Sequence, residues 1–336
     1  MRLLIYSYLL LLSSSILFGC HQLTSERYLK IAHSNDASHP VHQAMLFMAE
    51  RVKEKSNGQL QLNVYPSAQL GQERECIELL QIGSLAMTKS SSAVMEGFAP
   101  NFKVLSIPYL FKGKEHQFSA LDGDIGKELM LEGEKFWLRG LCFYDAGFRS
   151  FYTKDAPIDE PDDLKGKKIR VMPSNTAIEM VQELGGSPTP ISYGELYTAL
   201  QQGVVDAAEN NPPSFYFSKH FEVCKYYSLD EHTAIPDILL ISTIVWESLS
   251  EEEKQWLQEA ANESVTYERK LWAEAEQESL EAVEKAGVTI TRPDQSKFSD
   301  KVQPMYEQYK DEPEVYDLIQ RIQAVPVDST AQISAR

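Results

Sequence analysis

From Ser250 to Gly287 the chain reads as one uninterrupted helix, and no small single-core domain can hold it. Ser250 and Glu253 have the spacing of a capping box. Small or apolar residues recur at Leu257, Ala261, Val265, Leu271, Ala275, Ser279, Val283 and Ala286, and Gly287 supplies the stop. About 36 residues at 1.5 Å each span about 54 Å. Such a helix either kinks or runs along two lobes, and 336 residues are enough for two modest cores.

Upstream of that helix two α/β blocks are legible. In the first, Tyr28 to Ala32 reads as a strand, Pro40 opens an amphipathic helix with Val41, Met45, Met48, Ala49 and Val52 on one face, and Leu60, Leu62 and Val64 alternate as a second strand. Gly71 precedes a helix carrying Ile77, Leu79, Leu80 and Ile82, Gly83 ends it, and a third strand is expected over Leu85 to Thr88. A helix near Ile125 to Leu131 and a strand from Gly140 to Tyr144 complete the block.

The second block follows Ala146. Arg149 to Thr153 is extended, a strand around Arg170 leads into a helix stopped by Gly185-Gly186, and Pro188 to Ile191 is a short strand. Ser192 and Glu195 predict a capping box for a helix over Tyr193 to Gln202, followed by a strand over Val204 to Ala208 that ends in Glu209-Asn210-Asn211-Pro212-Pro213. Alternation of this kind implies a largely parallel sheet with helices on both faces.

The amino terminus is different material. Arg2, the apolar run Leu3 to Leu12, three serines and then Ile16 to Cys20 make a hydrophobic stretch short of the about 20 residues a spanning helix needs, so residues 1–19 read as a secretory signal peptide. Leu17-Phe18-Gly19-Cys20 resembles the bacterial lipobox, whose cysteine becomes the lipidated first residue of the mature chain, although Phe18 is bulky and Arg2 is the only basic residue before the run. An ordinary cleaved signal or a retained anchor are the alternatives. Beyond Cys20, the odd set Cys76, Cys142 and Cys224 lacks metal-site spacing and reads as buried small hydrophobes. A formal charge of -17 argues against nucleic-acid binding. It leaves a small anionic ligand open, because exposed charges more than roughly 8 Å away are largely screened.

Polar side chains gather at two strand ends of the second block. Arg170 lies between Ile169 and Val171, Pro173 stops the strand, and Ser174 or Asn175 caps the next helix. Ligands of open α/β sheets bind outside such carboxyl ends, and the guanidinium fork suits a carboxylate. With 49 acidic residues in the chain, a structural ion pair is the competing role. Asn210 closes the other strand end. Tyr193 and Phe215 read equally as sugar-stacking or core aromatics.

Enzyme chemistry lacks its parts: there is no P-loop, GxGxxG, HExxH or GxSxG motif. His39 and His42, with Asp36 nearby, have no clear third partner, and His39 sits where a cap is needed before Pro40, so no metal site is expected. His220 and Cys224 mimic a base and a nucleophile at i, i+4 spacing, but are expected to be structural. No cofactor is expected.

Six stretches in order then carry a resemblance: YPSAQLG at 65–71, GSL at 83–85, IPYLF at 107–111, LKGKKIRV at 164–171, GGSPTPISYGELYTALQQGVVDAAEN at 185–210 and HFEVCKYY at 220–227. Across nearly all of its mature length the chain resembles the solute-binding proteins of tripartite ATP-independent periplasmic (TRAP) transporters. The resemblance implies an α/β, two-lobed periplasmic-binding-protein-like clamshell with the long helix spanning both lobes, lobe I comprising 28–147 plus 237–275 and lobe II 148–236 plus 276–326. It implies a monomer outside the cytoplasm that binds a small organic acid and works with integral-membrane permease subunits. Arg170 falls on the family's carboxylate-binding arginine, Arg149 on a second ligand-facing arginine of some members, and Asn210 on its ligand-bonding asparagine. Glu73 and Ser91 fall on positions lining the opposite lobe; Ser91 departs from the acidic residue of some sialic-acid binders. Asn211, Tyr193 and His39 complete the candidate ligand-binding set. The run ENNPPSF followed by HFEVCKYYSLDEHT looks like members that bind hexuronates, with sialic acid, aldonates and C4-dicarboxylates as alternatives.

Overall fold

The computed structural model describes residues 26–326; the signal segment and Cys20 lie outside them. Two sheets organise the chain, and each is completed only after the chain has visited the other. The first contains β1 (Arg27–Ala32), β2 (Leu60–Tyr65), β3 (Met87–Ser91), β4 (Leu138–Tyr144) and β10 (Asp237–Ser242) in the order β2-β1-β3-β10-β4. The second contains β5 (Arg149–Thr153), β6 (Lys168–Val171), β7 (Ser187–Pro190), β8 (Ala207–Asn210), β9 (Tyr226–Thr233) and β11 (Thr289–Thr291) in the order β11-β9-β5-β8-β6-β7. The result is a two-lobed clamshell.

The sheets are mixed rather than largely parallel, and the exceptions have a cause. β10 runs antiparallel to β3 and β4, and β5 runs antiparallel to β8 and β9. Each is the first strand laid down after the chain crosses between sheets, β10 after 234–236 and β5 after 145–148, so it enters from the cleft side, opposite to strands delivered by a local helix.

Helix α1 (Pro40–Lys55) starts where a cap is available: His39 Nδ1 accepts the Val41 amide at 3.3 Å. It buries Val41, Met45, Met48 and Val52 in the core of the first sheet, each worth about 1.5–3 kcal/mol relative to exposure. Helix α2 (Glu73–Gln81) puts its amino end at the cleft. Helix α3 (Asn175–Glu183) follows β6 and is capped by Ser174, whose Oγ accepts the Ala177 amide at 3.1 Å. Helix α4 (Pro212–Phe217) follows β8.

The long helix α5 (Glu251–Lys285) is continuous over 35 residues, with both bonds of the Ser250–Glu253 capping box formed. Its first half lies along α1, with Lys55 Nζ 2.8 Å from both Glu259 and Glu263, and its far end puts Val283 into the core of the second sheet. It therefore braces both lobes. The apolar stripe is only partly as the sequence implies, because Glu268 and Trp272 are buried on it.

Two strands begin later than expected for one physical reason. Leu79 O accepts the amides of Ser84 and Leu85, so the turn ending α2 consumes the first residues of the expected Leu85–Thr88 strand, and β3 runs instead to Ser91. Ala199 O does the same to Val204 and Val205, and β8 runs to Asn210. The shift places Ser91 and Asn210 at strand ends. The Ser192 capping box is absent: the Glu195 amide goes to Ser192 backbone O at 3.1 Å, the segment Tyr193–Glu195 is a 3-10 turn, and the helix proper starts at Leu196. Phe215 is a core residue packed on Tyr152 and Tyr227, so sugar stacking by it is ruled out.

Candidate functional site

The carboxyl ends of β6 and β8 face that of β3 and the start of β10 across a cleft with a cavity volume of about 60 Å³. Arg170, Arg149, Asn210, Asn211, Tyr193, Glu73, Ser91 and His39 all line it, as do Lys89, Asp237, Asn35, Ser214 and Trp272. The cleft is closed. His39 Nε2 lies 3.5 Å from Ser214 Oγ, the Gly194 amide donates to Gln72 Oε1, and Glu96 accepts from Ser174 Oγ at 2.6 Å and from the Thr176 amide at 3.2 Å.

Arg170 is 1% exposed. Its Nε donates to Ile191 O at 2.9 Å, while Nη1 is buried with no partner among the described residues. Burial pulls its pKa below the ordinary arginine value, with neighbouring Glu209 acting in the opposite sense. A buried guanidinium with an idle donor is costly unless an anion completes it.

Arg149 sits on the next strand but one and is occupied. Its Nε and Nη2 hold the Glu209 carboxylate, Nη2 also donates to Glu209 O at 2.8 Å, and Nη1 donates to Asn210 Oδ1 at 2.7 Å. His232 Nδ1 lies 2.8 Å from Asp230, and its Nε2 faces Glu209 at 3.5 Å. Desolvation opposes charge on both, yet Arg149 holds the Glu209 carboxyl down at about 2, and Asp230 raises His232 to about 9. Asn210 Oδ1 also accepts the Asn211 amide at 3.0 Å, which leaves its amide group for a ligand. Asn211 caps α4 by accepting the Ser214 amide at 2.8 Å.

The opposite wall carries a cluster that sequence reading missed. Lys89, in the middle of β3, pairs with Glu73 at 3.2 Å and Asp237 at 3.0 Å, and the Ser91 amide donates to Glu73 Oε2 at 3.2 Å. A lysine flanked by Thr88 and Ser90 inside a buried strand was the available signal. Trp272, from α5, packs beside His39 with ring centroids 5.6 Å apart and the planes tilted by 58°. His39 itself is held neutral, burial pushing its pKa well below the usual histidine value with Lys89 reinforcing the effect. His42 pairs with His33 at 2.9 Å, and no metal-ligand cluster occurs among the described residues. His220 Nδ1 meets the Tyr152 hydroxyl at 2.9 Å rather than Cys224, and burial raises the Cys224 thiol to about 12.

A closed cleft between two mixed sheets, lined by buried polar side chains and an idle guanidinium donor, has the form of a binding site. A family model described as bacterial extracellular solute-binding protein, family 7, matches residues 31–312. The chain belongs to this family. Protein YiiZ of Salmonella typhimurium is 40% identical over 316 residues, covering 94% of this chain and 95% of that protein. The 2,3-diketo-L-gulonate-binding periplasmic protein YiaO of Escherichia coli is 31% identical over 330 residues, covering 97% and 100%. Among solved structures, a TRAP periplasmic solute-binding protein of Xanthobacter autotrophicus with bound β-D-galacturonate superposes with a TM-score of 0.86 at 40% identity, covering 89% of this chain and all of that one. One from Roseobacter denitrificans with bound β-D-glucuronate gives 0.87 at 36% identity, again covering 89% and 100%. The protein is therefore a solute-binding protein of the TRAP type, not an enzyme.

Proposed function

We propose that the protein captures a hexuronate, D-galacturonate or D-glucuronate, outside the cytoplasm and delivers it to TRAP permease subunits in the membrane. The observation that carries this reading is the pairing of Arg170, buried with an idle Nη1, against a cleft whose other buried guanidinium, Arg149, is already spent on Glu209 and Asn210. One free guanidinium suits one carboxylate, and Glu73, Ser91 and the Asn210 amide suit the hydroxyls of a sugar acid. A C4-dicarboxylate needs a second free cation. The ligands of the similar structures support the same reading.

In this reading lobe I comprises 28–147 plus 237–275, lobe II comprises 148–236 plus 276–326, and the lobes open and close as a monomer on the hinge formed by the crossovers. Cys20 carries the lipid that tethers the mature protein to the membrane.

Thermal-shift screening of galacturonate, glucuronate, sialic acid and succinate tests the ligand. A hexuronate at 100 to 1,000 times its dissociation constant is expected to stabilise by roughly 3 to 4 kcal/mol. A shift with succinate alone overturns the uronate reading. Mass spectrometry of the mature amino terminus tests the anchor, and an unmodified Cys20 overturns it.

A further inference from the structure

The proposed reading explains Arg170 but leaves a second buried cation on the opposite wall without a task. Lys89 is 3% exposed, lines the cavity and sits across the cleft from Arg170. Unlike Arg170, it is not idle, because its ammonium is held between the carboxylates of Glu73 and Asp237.

Resting on the hexuronate reading, we propose that Lys89 is a masked cation and that Glu73 and Asp237 are specificity-determining residues. Together they make the wall facing Arg170 accept hydroxyls and reject a second carboxylate. The discrimination that matters is between a uronate and the aldaric acid of the same carbon skeleton. They share the carboxylate that Arg170 takes; at the remote end, C1, the uronate carries an anomeric hydroxyl on its closed hemiacetal ring, whereas the aldarate, which is open-chain, carries a second carboxylate. A hydroxyl donates to a carboxylate oxygen of Glu73 or Asp237 and keeps the cluster intact. A second carboxylate has no proton to donate and must approach two acceptors whose only ion-paired cation is Lys89, in a buried cleft where like charges repel strongly.

The charge count supports this even when Asp237 is neutral. Burial raises the Asp237 pKa against the pull of Lys89, but with Asp237 protonated Glu73 alone still balances Lys89, so the wall never presents net positive charge. The remaining cavity-lining cation, Arg74, is exposed, pairs with Glu78 at 3.1 Å and lies over the Phe98 ring.

The test is calorimetric titration of galacturonate and galactarate into the full mature protein, its Glu73→Gln variant and its Glu73→Gln/Asp237→Asn double variant. Wild type is expected to prefer galacturonate by about a hundredfold, the scale of two to three kcal/mol at a buried charge. The variants free Lys89, and the ratio is expected to move toward galactarate by at least about tenfold, more in the double variant. Comparable binding of both acids by wild type, or an unchanged ratio in both variants, overturns the masking idea while leaving the uronate reading intact. Failure of wild type to bind either hexuronate overturns that reading and this inference with it. The Glu73 side chain is 13% exposed, against 9% for Asp237, so the single variant is the milder change and decides the matter if the double variant fails to fold.

Discussion

The second-sheet wall and the first-sheet wall of the cleft each bury a cation against a carboxylate, and they do so to opposite ends. On the second-sheet wall the arginines divide the work. Arg149 is saturated by Glu209 and Asn210, backed by His232 and Asp230, while Arg170 keeps a donor idle. On the first-sheet wall Lys89 has more carboxylate than it can neutralise. One wall therefore advertises a positive charge and the other hides one. A cation in a binding cleft is informative only together with the count of its partners.

The largest expected effect breaks the division between the two arginines. Arg149→Ala leaves the buried Glu209 with His232, 3.5 Å away, as its remaining ion-pair partner, and should lower the stability of the ligand-free protein by about 3–5 kcal/mol, read by denaturant titration. Arg170→Ala should do the reverse. It is expected to cost about 2–5 kcal/mol of binding, roughly thirty-fold to several thousand-fold in affinity, with ligand-free stability near wild type. Arg170→Lys keeps the charge but loses the fork, and should also bind weakly. If Arg170→Ala melts early and binds normally, the two arginines have exchanged roles.

A pH series sharpens the same wall. His232 is raised from about 6.5 in the unfolded chain to about 9 in the fold. Its contribution is fully present below the unfolded value and is lost as pH rises through about 9. Glu209, depressed to about 2, contributes above its unfolded value and loses that contribution only as pH falls through about 2. Thermal melts should therefore weaken between about pH 6.5 and 9, and His232→Gln should flatten that limb. A wild-type profile already flat there counts against the ion-paired histidine.

The smallest effect concerns what joins the walls. Glu96 accepts from the capping Ser174 and from the first turn of α3. Glu96→Gln should cost about 1 kcal/mol of the closed state, seen as faster ligand release in stopped flow without loss of ligand-free stability. An unchanged release rate removes Glu96 from the closing contacts.

Much of this was legible in the chain, and the misses share a cause. Arg170 was readable because two β-branched residues flank it, and a proline and a cap follow it. The capping box at Ser250 and the apolar period after it foretold α5. Neither β3 nor β8 was placed correctly, since helix-ending turns at Leu79 and Ala199 took the amides of Leu85 and Val204, a competition that apolar pattern does not encode. The pairing of Lys89 with Glu73 and Asp237 escapes the sequence for a different reason. Its members lie 16 and 148 residues from Lys89 in sequence, and only the fold brings them together. The family resemblance alone makes Arg149 ligand-facing; Glu209, which occupies it, lies 60 residues away in sequence and meets it only in the fold.

The position of β10 also governs when the molecule can come into being. It lies between β3 and β4, pairing with both, yet arrives only after all of β5 to β9 has been made. Until residue 242 is available, the first sheet is two fragments with facing unpaired edges, and nothing nearby in sequence can close them. A chain delivered amino terminus first therefore makes every strand of its second sheet except β11 while the first sheet stands open, and exposed strand edges are sticky. Fragments ending before Asp237 should aggregate rather than fold as half a protein, and the waiting time for that single strand sets how long the nascent chain depends on being kept apart from its neighbours.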